Sequence, residues 1–371
     1  MPLHKVIISG GGTGGHIFPA IAIANKIKEK YPDCDILFVG AEGKMEMEKV
    51  PKAGYKIEGL PIRGIQRKLS LKNFAVPFKL IASLWKAKRI IKNFQPQVAV
   101  GVGGYASAAT LRMAAKLNVP TLIQEQNGYP GVTNKILGKK VDTICVAYDH
   151  LERFFPVEKM VKTGNPVRSD VVQIEGKRER GLQHFGLDTN KKTILAIGGS
   201  LGARTINESI KQNINGLLDK DIQIIWQCGK FYLNDLQDFV VQLNHPNVFL
   251  SDFVYEMDLA YASADLIISR AGAISVSEVC LVGKPVILVP SPNVAEDHQT
   301  KNAMALVDEE AAVLVKDDAA RENLINEAIK ILADHDRCAA LSQNIKKLGI
   351  ADATDRIVKE IEKLVKDKAS E

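Results

Sequence analysis

The chain has 371 residues, of which 46% are hydrophobic and 25% are charged, and its formal net charge is +6. This composition excludes disordered and fibrous proteins, and the length predicts two domains rather than one core. No apolar run approaches the roughly 20 residues of a membrane-spanning helix. Residues 1–5 do not resemble a signal peptide, and five scattered cysteines without C-x-x-C spacing indicate free thiols in a reducing cytoplasm.

The first half of the chain alternates apolar strands with helices. Residues 5–9 predict a strand, a glycine loop follows at residues 10–15, and residues 16–30 carry apolar side chains at helical spacing. Alternation of this kind is typical of a parallel sheet with helices on both faces. Further strands are predicted at residues 35–39, 98–102, 120–124 and 142–147.

The second half repeats this plan. A strand at residues 193–197 precedes a second glycine loop, which starts at Gly198, and a helix begins near Ala203. We therefore predict an α/β fold with two doubly wound, Rossmann-like domains at residues 1–165 and 166–350. Further strands are predicted at residues 222–226, 248–251, 266–269 and 286–289.

The second domain contains a candidate nucleotide site. A strand that ends at Ser269 leads into a glycine turn at residues 270–272 and a helix that begins near Ala273. The backbone N–H groups and the dipole at the start of this helix suit a phosphate. Glu278, further along the helix, can accept two hydrogen bonds from a vicinal diol such as a ribose. Phosphate beside a diol indicates a nucleotide, whereas a solvated helical glutamate is the simpler alternative for a single residue.

The glycine loop of the first domain also fits a dinucleotide fingerprint. Gly10, Gly12 and Gly15 satisfy G-x-G-x-x-G between a strand and a helix. Glu42 lies close to the place where that fingerprint requires an acid, so an NAD-dependent oxidoreductase is one alternative. The extra glycines, the histidine at position 16 and the second glycine loop argue against it.

His16 is predicted to project from the start of the first helix. The positive end of the helix dipole should keep its ring neutral, which favours a general base. A role in capping the helix or in binding the substrate ground state is the alternative.

Two D-x-D patterns, at residues 33–35 and 334–336, match the pattern with which some sugar transferases hold a metal ion. The first opens a strand at the end opposite a ligand crevice, and the second falls on a solvated helical segment. We therefore predict no metal site.

Residues 59–124 contain no acidic residue, and their positive charge should attract an anionic partner. Cations alternate there with apolar side chains, which predicts a surface for anionic lipids; a packed helix with solvated lysines is the alternative. Nucleic acid is not expected as a partner, because recognised binding motifs are missing and aromatic residues are few. The residues are Arg67, Lys68, Lys72, Lys79, Lys86, Lys88 and Arg89, with Leu69, Leu71, Phe74, Val76, Phe78, Leu80, Ile81, Leu84 and Trp85.

Six motifs occur in order along the chain. They are Gly10-Gly-Gly-Thr-Gly-Gly-His-Ile-Phe-Pro19, Gly103-Gly-Tyr-Ala-Ser107, Glu125-Gln-Asn127, Gly164-Asn-Pro-Val-Arg168, Gly198-Gly-Ser200 and Gly272-Ala-Ile-Ser-Val-Ser-Glu278. Taken together, they make the chain closely similar to the MurG family, bacterial transferases that add N-acetylglucosamine from UDP-GlcNAc to lipid I and make lipid II for peptidoglycan. The similarity runs from the first strand to the last helix, and the spacing of the six motifs makes it specific.

The resemblance implies a GT-B fold, in which two Rossmann-like domains face each other across a cleft. The C-terminal domain of such a fold binds the donor and the N-terminal domain binds the lipid acceptor. The final helix, at residues 353–367, would cross back to the first domain, which would explain its apolar stripe at Ile357, Ile361, Leu364 and Val365.

The resemblance also implies roles for individual residues. Glu278 would bind the ribose, Gln299 the GlcNAc hydroxyls, and Val254 the uracil through its backbone. The pyrophosphate region would be bound by Ser200 and by the turn formed by Ala273, Ile274, Ser275, Val276 and Ser277. The remaining donor contacts would come from Thr13, Gly14, Gly15, Asn127 and Arg168, and the acceptor contacts from Tyr105 and Asn134.

The implied reaction is an inverting displacement without cofactor or metal. The 4-hydroxyl of the acceptor attacks the anomeric carbon while UDP leaves, so a base must remove the hydroxyl proton. His16 is the expected base and Glu125 is its rival; helix ends and Arg168 would stabilise the departing diphosphate. The expected partners are UDP-GlcNAc, lipid I, an anionic membrane surface, and proteins of cell-wall synthesis and division.

The expected location is peripheral, at the cytoplasmic face of the inner membrane. Other readings of the sequence remain open. Another GT-B transferase would use a different lipid acceptor, and a UDP-GlcNAc epimerase would convert the donor without an acceptor. A non-catalytic scaffold at the membrane surface would neither hydrolyse nor transfer the donor.

Overall fold

A computed structural model describes residues 2–62, 76–199, 201–294 and 297–370. The chain divides into two compact units. Unit 1 comprises the residues up to Arg168 together with those from Ala351 onward, and unit 2 comprises Ser169–Ile350. The sequence-based boundary, after residue 165, lies close to this division.

Unit 1 begins with a repeated strand-and-helix pattern. Its buried strands are almost continuously apolar, as expected when both faces of a parallel sheet are covered. In chain order the elements are β1 (Lys5–Ser9), α1 (Gly14–Lys30), β2 (Asp35–Ala41), α2 (Glu46–Lys52), β3 (Lys56–Leu60), α3 (Val76–Phe94), β4 (Val98–Gly101), α4 (Tyr105–Lys116), β5 (Thr121–Glu125), α5 (Val132–Gly138), β6 (Thr143–Val146) and β7 (Met160–Lys162).

The described strands of unit 1 form one parallel sheet in the order β3-β2-β1-β4-β5-β6-β7. Ile7 at its centre is paired with Leu37 on one side and Ala99 on the other. The strand order reverses between β1 and β4. In open α/β sheets the crevice at such a reversal, beyond the carboxyl ends of the strands, is where ligands bind.

Unit 2 repeats the arrangement with its own core around the buried side chains of Trp226 and Tyr261. Its elements are α6 (Ser169–Val172), α7 (Arg178–His184), β8 (Thr193–Ile197), α8 (Arg204–Leu218), β9 (Gln223–Gln227), α9 (Leu233–Leu243), β10 (Val248–Ser251), α10 (Met257–Ser263), β11 (Leu266–Ser269), α11 (Ala273–Val282), β12 (Val286–Leu288), α12 (His298–Val307), β13 (Val313–Leu314), α13 (Ala320–Ala333) and α14 (His335–Lys347). The described strands form a parallel sheet in the order β10-β9-β8-β11-β12-β13, which reverses between β8 and β11.

The final helix, α15 (Ala353–Ala369), belongs to unit 1 and packs against α1. Ile357, Ile361 and Val365 recur every four residues and are buried in the core of that unit. Burial of each such side chain contributes roughly 1.5–3 kcal/mol. A salt bridge from Lys30 to Glu362, with N and O 2.5 Å apart, adds a polar contact at the edge of the same interface.

Three short strands were missing from the sequence-based prediction: β3, β7 and β13. All three lie at edges of their sheets. Edge strands are partly exposed and carry polar side chains, so they lack the continuous apolar run that marks a central strand. The segment Lys56–Leu60, for example, begins with an exposed lysine and includes an exposed glutamate.

The second D-x-D pattern, at residues 334–336, lies in an exposed segment at the start of α14, as predicted. Asp334 is the N-cap of this helix and accepts a hydrogen bond from the backbone N–H of Arg337 at 2.9 Å. Among the helices that the structure describes, none has the length and apolar character needed to cross a bilayer.

Candidate active site

The glycine loop of unit 1 contacts a carboxylate of the chain itself, that of Glu46. It follows β1, and α1 begins at Gly14 with Thr13 as its N-cap. The N–H of Gly12, whose φ of 89° suits glycine, donates to Oε2 of Glu46 at 2.8 Å. This N–H is therefore occupied by a carboxylate of the chain itself. The backbone N–H groups at the start of α1, at Gly14 and Gly15, are the groups of this loop that could bind a phosphate.

The oxidoreductase alternative also requires an acid that is available to bind a ribose. Glu42, the acid expected to bind a ribose in a dinucleotide site, forms a salt bridge of 3.0 Å with Lys86 at the surface. The N–H of Gly12 and the carboxylate of Glu42 are thus both engaged by side chains of this chain.

His16 is half-buried in the first turn of α1. Its Nδ1 lies 3.0 Å from the carbonyl oxygen of Gly11. Because a carbonyl oxygen only accepts, Nδ1 must carry the hydrogen, and in the neutral ring Nε2 then holds the lone pair. A Cβ atom at Gly103 would lie 2.8 Å from Nε2, so this glycine allows the basic edge of the ring to approach the loop after β4.

Glu125, the rival base, has a different setting. Its side chain is 1% exposed at the end of β5. Burial raises the pKa of Glu125, while hydrogen bonds from Asn127, Asn134 and Gly131 oppose this rise. Oε1 accepts from the N–H and the amide of Asn127, and Oε2 accepts from the N–H of Gly131 and the amide of Asn134. Both oxygens are thus engaged in holding the loop after β5.

The other predicted residues of unit 1 divide into surface and interior positions. Tyr105, the first residue of α4, is exposed, and the guanidinium of Arg168 lies 5.3 Å from the ring centre of Phe18 on α1. Asn134 is buried, with its amide directed at Glu125 and at the carbonyl of Gln124. In this structure Asn134 supports the loop, and an acceptor could not touch it without a rearrangement.

In unit 2, α11 presents its N-terminus at the carboxyl end of β11, with Gly272 as N-cap and no acidic residue in the first turn. The side chains of Ala273, Ile274 and Val276 are buried, so these residues can offer a ligand only their backbone. Ser275 is half-buried. The hydroxyl of Ser277 donates to the carbonyl of Ala273 at 3.0 Å.

Glu278 is held by a residue that the sequence did not point to. The hydroxyl of Tyr261, a fully buried residue of α10, donates to Oε2 of Glu278 at 3.0 Å. Arg270 in the same region is committed to protein groups: it donates to the carbonyl oxygens of Val289 and Pro290 and pairs with Asp317. The carboxylate of Glu278 is therefore oriented by a tyrosine.

Gln227, at the end of β9, was also absent from the site residues predicted from the sequence. Its amide donates to the carbonyl of Gly199 at 3.1 Å, and its Oε1 accepts from the N–H of Val254 at 3.0 Å. Because that N–H already donates to Gln227, a nucleobase bound by the Val254 backbone would contact its carbonyl group. Gln227 thus joins the second glycine loop to Val254; the predicted site residue Ser200 lies outside the described residues.

Gln299 lies in the first turn of α12. Its Oε1 accepts from the N–H of Ser291 at 2.8 Å, so the group that it can offer a sugar hydroxyl is its amide NH₂. Local spacing could not have suggested the bonds of Gln227, since its partners Gly199 and Val254 lie 28 and 27 residues away in sequence.

Comparisons with known proteins agree with this arrangement. Residues 6–146 match the glycosyltransferase family 28 N-terminal domain, and residues 193–357 match the glycosyltransferase family 28 C-terminal domain. The chain belongs to glycosyltransferase family 28. It therefore has the GT-B fold of two Rossmann-like domains, as predicted, and it is a glycosyltransferase.

One relative of this family 28 chain is the UDP-N-acetylglucosamine--N-acetylmuramyl-(pentapeptide) pyrophosphoryl-undecaprenol N-acetylglucosamine transferase of Parabacteroides distasonis. The two are 55% identical over 368 residues, covering 99% of this chain and 100% of the relative. The crystal structure of Acinetobacter baumannii MurG is similar with a TM-score of 0.75 and 27% identity, covering 98% of this chain and 100% of that chain. The predicted resemblance to the MurG family is confirmed.

A crystal structure of a UDP-N-acetylglucosamine 2-epimerase is also similar, with a TM-score of 0.67 and 16% identity, covering 97% of this chain and 95% of that chain. At this identity the likeness shows a shared fold alone. The comparison therefore shows that the chain and the epimerase share an architecture, and it gives the epimerase alternative no further support.

Proposed function

We propose that this chain transfers N-acetylglucosamine from UDP-GlcNAc to the 4-hydroxyl of the MurNAc residue in lipid I, producing lipid II. The observation that carries the proposal is the 55% identity, over 99% of the chain, to a relative named for this transfer. The geometry within each unit supports it, because unit 1 provides a base and unit 2 provides groups for a nucleotide.

We assign acceptor activation to His16. The hydrogen on Nδ1 is held by the Gly11 carbonyl, so Nε2 is the nitrogen that can take a proton. Glu125 is the weaker candidate, because each of its carboxylate oxygens already accepts two hydrogen bonds in a buried setting.

We assign donor binding to the elements at the carboxyl end of the unit 2 sheet. Glu278, oriented by Tyr261, would accept hydrogen bonds from the ribose hydroxyls. The backbone N–H groups at the start of α11 would bind the pyrophosphate, since this helix end has no acidic residue in its first turn. The carbonyl of Val254 would meet the uracil, and the amide of Gln299 would meet a GlcNAc hydroxyl.

The reaction balances without an added reagent. The acceptor O–H bond breaks and its proton goes to Nε2 of His16, while the acceptor oxygen forms a bond to the anomeric carbon. The bond between that carbon and the phosphate oxygen breaks, and its electron pair leaves with UDP. We assign stabilisation of the leaving diphosphate to the helix N-termini and to Arg168.

The test supplies UDP-GlcNAc labelled in its sugar, with and without lipid I. Label in a lipid product that forms only with lipid I supports the proposal. Label that appears in an epimerised nucleotide sugar without acceptor would favour the epimerase, and transfer to a different lipid would favour another transferase of the same fold.

We also propose that α3 is a membrane-facing surface. The buried residues described in this helix, Ser83, Ala87, Ile90 and Ile91, lie on one face. Phe78 and Trp85 are 76% and 70% exposed, as befits side chains that dip among lipid headgroups. These exposed aromatic residues support a membrane-facing surface over the alternative of an ordinary packed helix.

Cations accompany these apolar residues. The ammonium of Lys88 lies 5.8 Å from the ring centre of Trp85, and Lys79, Arg89 and Lys92 are on the same helix. Such a surface suits anionic lipids. Arg67, Lys68, Leu69, Leu71, Lys72 and Phe74 of the predicted patch lie outside the described residues.

A further inference from the structure

A buried carboxylate that has no part in the mechanism above lies beneath the glycine loop. Glu46, the first residue of α2, is 1% exposed. Its Oε1 accepts from the N–H of Ala41 at 3.0 Å, and its Oε2 accepts from the N–H of Gly12 at 2.8 Å. A Cβ atom at Gly11 or at Gly40 would lie 2.2 or 2.6 Å from atoms of this side chain. The sequence therefore leaves a slot for the carboxylate between two glycines.

The same peptide group contacts Glu46 on one side and His16 on the other. The group that joins Gly11 to Gly12 donates its N–H to Glu46 and accepts at its carbonyl oxygen from Nδ1 of His16, at 3.0 Å. We propose that Glu46 is a positioning residue that acts on His16 through the Gly11–Gly12 peptide group.

The physical effect is transmitted by polarisation of the peptide group. A carboxylate on its N–H draws the hydrogen and increases the negative charge on its carbonyl oxygen, and linked hydrogen bonds of this kind strengthen each other by about 10–30% per bond. The stronger acceptor holds the Nδ1–H tautomer of His16 and keeps the lone pair on Nε2. This resembles the role of the aspartate in a Ser-His-Asp triad, with a peptide group placed between carboxylate and imidazole.

The contribution should grow as the reaction proceeds. When Nε2 takes the acceptor proton, the ring becomes an imidazolium, and the hydrogen bond from Nδ1 to the Gly11 carbonyl becomes charge-assisted. The proton on Nδ1 stays in place, and none moves to Glu46. An interaction that strengthens only with charge transfer raises turnover and leaves donor binding unchanged. This inference rests on the proposed role of His16 as the base.

The first test replaces Glu46 by glutamine in the full chain. We expect Glu46→Gln to lower kcat by roughly 10- to 100-fold, as supporting residues behind a reactive group often do, with UDP affinity unchanged. Glu42→Gln is the matched control, because it removes the same charge four positions earlier, from a residue at the surface. Glu46→Asp, which keeps the charge with a shorter reach, should recover part of the loss.

A double-mutant cycle separates this role from a structural one. If Glu46 acts through His16, Glu46→Gln should cause no further loss of turnover in a His16→Ala background. An equal loss in both backgrounds, or an unchanged kcat in Glu46→Gln alone, would overturn the proposal.

The second test is independent of activity. Two-bond ¹H–¹⁵N correlation spectra of the histidine-labelled parent report which ring nitrogen of His16 carries the hydrogen, with His16→Ala used for assignment. We expect the Nδ1–H tautomer; hydrogen on Nε2 would exclude the link to the peptide group. A parent enzyme that transfers no GlcNAc to lipid I would contradict the proposed function instead, while this spectrum still decides the link.

Discussion

The hydroxyl of Tyr261 donates to Oε2 of Glu278 across 3.0 Å, so a fully buried phenol on α10 orients the carboxylate that we assign to the ribose. The bond fixes the direction in which the carboxylate leaves α11. The ribose assignment therefore depends on two helices of unit 2.

Glu278→Ala should weaken UDP and UDP-GlcNAc to the same extent, because both contain the ribose. Loss of charge-assisted hydrogen bonds worth about 1.5–3 kcal/mol corresponds to roughly 10- to 100-fold in affinity. Tyr261→Phe should cause a smaller loss in the same direction. Calorimetry with both ligands measures the effect, and Glu322→Ala, at an exposed position of α13, is the control. Unchanged UDP binding in Glu278→Ala would exclude the ribose role.

His16→Ala should lower kcat by about 100-fold or more, with a much smaller effect on donor affinity, because a base acts in the transition state. Steady-state transfer assays with calorimetry of UDP-GlcNAc separate the two quantities. His4→Ala, at an exposed residue of the same unit, should match the parent. Turnover that falls only in proportion to donor binding would make His16 a ligand contact.

Glu125→Gln should act mainly on stability. The amide that replaces one carboxylate oxygen cannot accept hydrogen bonds, so two of the four donors around it lose their partner, at about 1–3 kcal/mol for each buried group. Thermal unfolding measures the loss. A folded Glu125→Gln enzyme with kcat reduced as strongly as in His16→Ala would instead support Glu125 as the base.

Gly103→Ala should lower turnover by displacing His16, to which we assign the role of base. The new Cβ would lie 2.8 Å from Nε2 of His16, and the φ of 101° also disfavours alanine. Gly54→Ala is a matched control, because Gly54 has a φ of 85° and a Cβ added there would have no atom within 4 Å. Both variants should lose about 1 kcal/mol of stability, and only Gly103→Ala should lose kcat. Equal activity in the two variants would contradict the assigned position of His16.

Replacing Lys79, Lys88 and Arg89 of α3 by glutamine should reduce sedimentation with anionic vesicles. Each cation near such a surface contributes about 1 kcal/mol, so the loss should be roughly 100-fold in affinity at low salt. High salt should weaken the parent in the same way, while UDP binding stays unchanged. Glutamine at Lys359, Lys363 and Lys366 of α15 removes the same charge elsewhere, and an equal loss there would indicate a nonspecific effect of net charge.

Helix α3 illustrates a limit of sequence patterns. Apolar residues occupy both faces of α3, so periodicity alone could not say which ones pack against the sheet. The structure buries Ala87 and Ile91 and exposes Phe78, Ile81 and Trp85. The difference arises because the position of the helix on its sheet is decided by residues of other elements, among them α4.

The sequence by itself determined the parts of this protein that depend on neighbouring residues. Apolar runs separated by glycine loops predicted the central strands and placed His16 and Glu278 at helices that follow them. The physical reason is that apolar runs, helix periodicity and turn formation depend on residues that are close together in the sequence.

Only the tertiary structure decided how these groups are held. Glu46 meets a glycine loop 34 residues earlier, Gln227 joins Gly199 to Val254, and Tyr261 reaches Glu278 from another helix. In the sequence each of these residues is an ordinary polar or aromatic residue. Their hydrogen bonds exist because the register of parallel strands brings distant loops to one edge of a sheet, and buried polar groups must then find partners there.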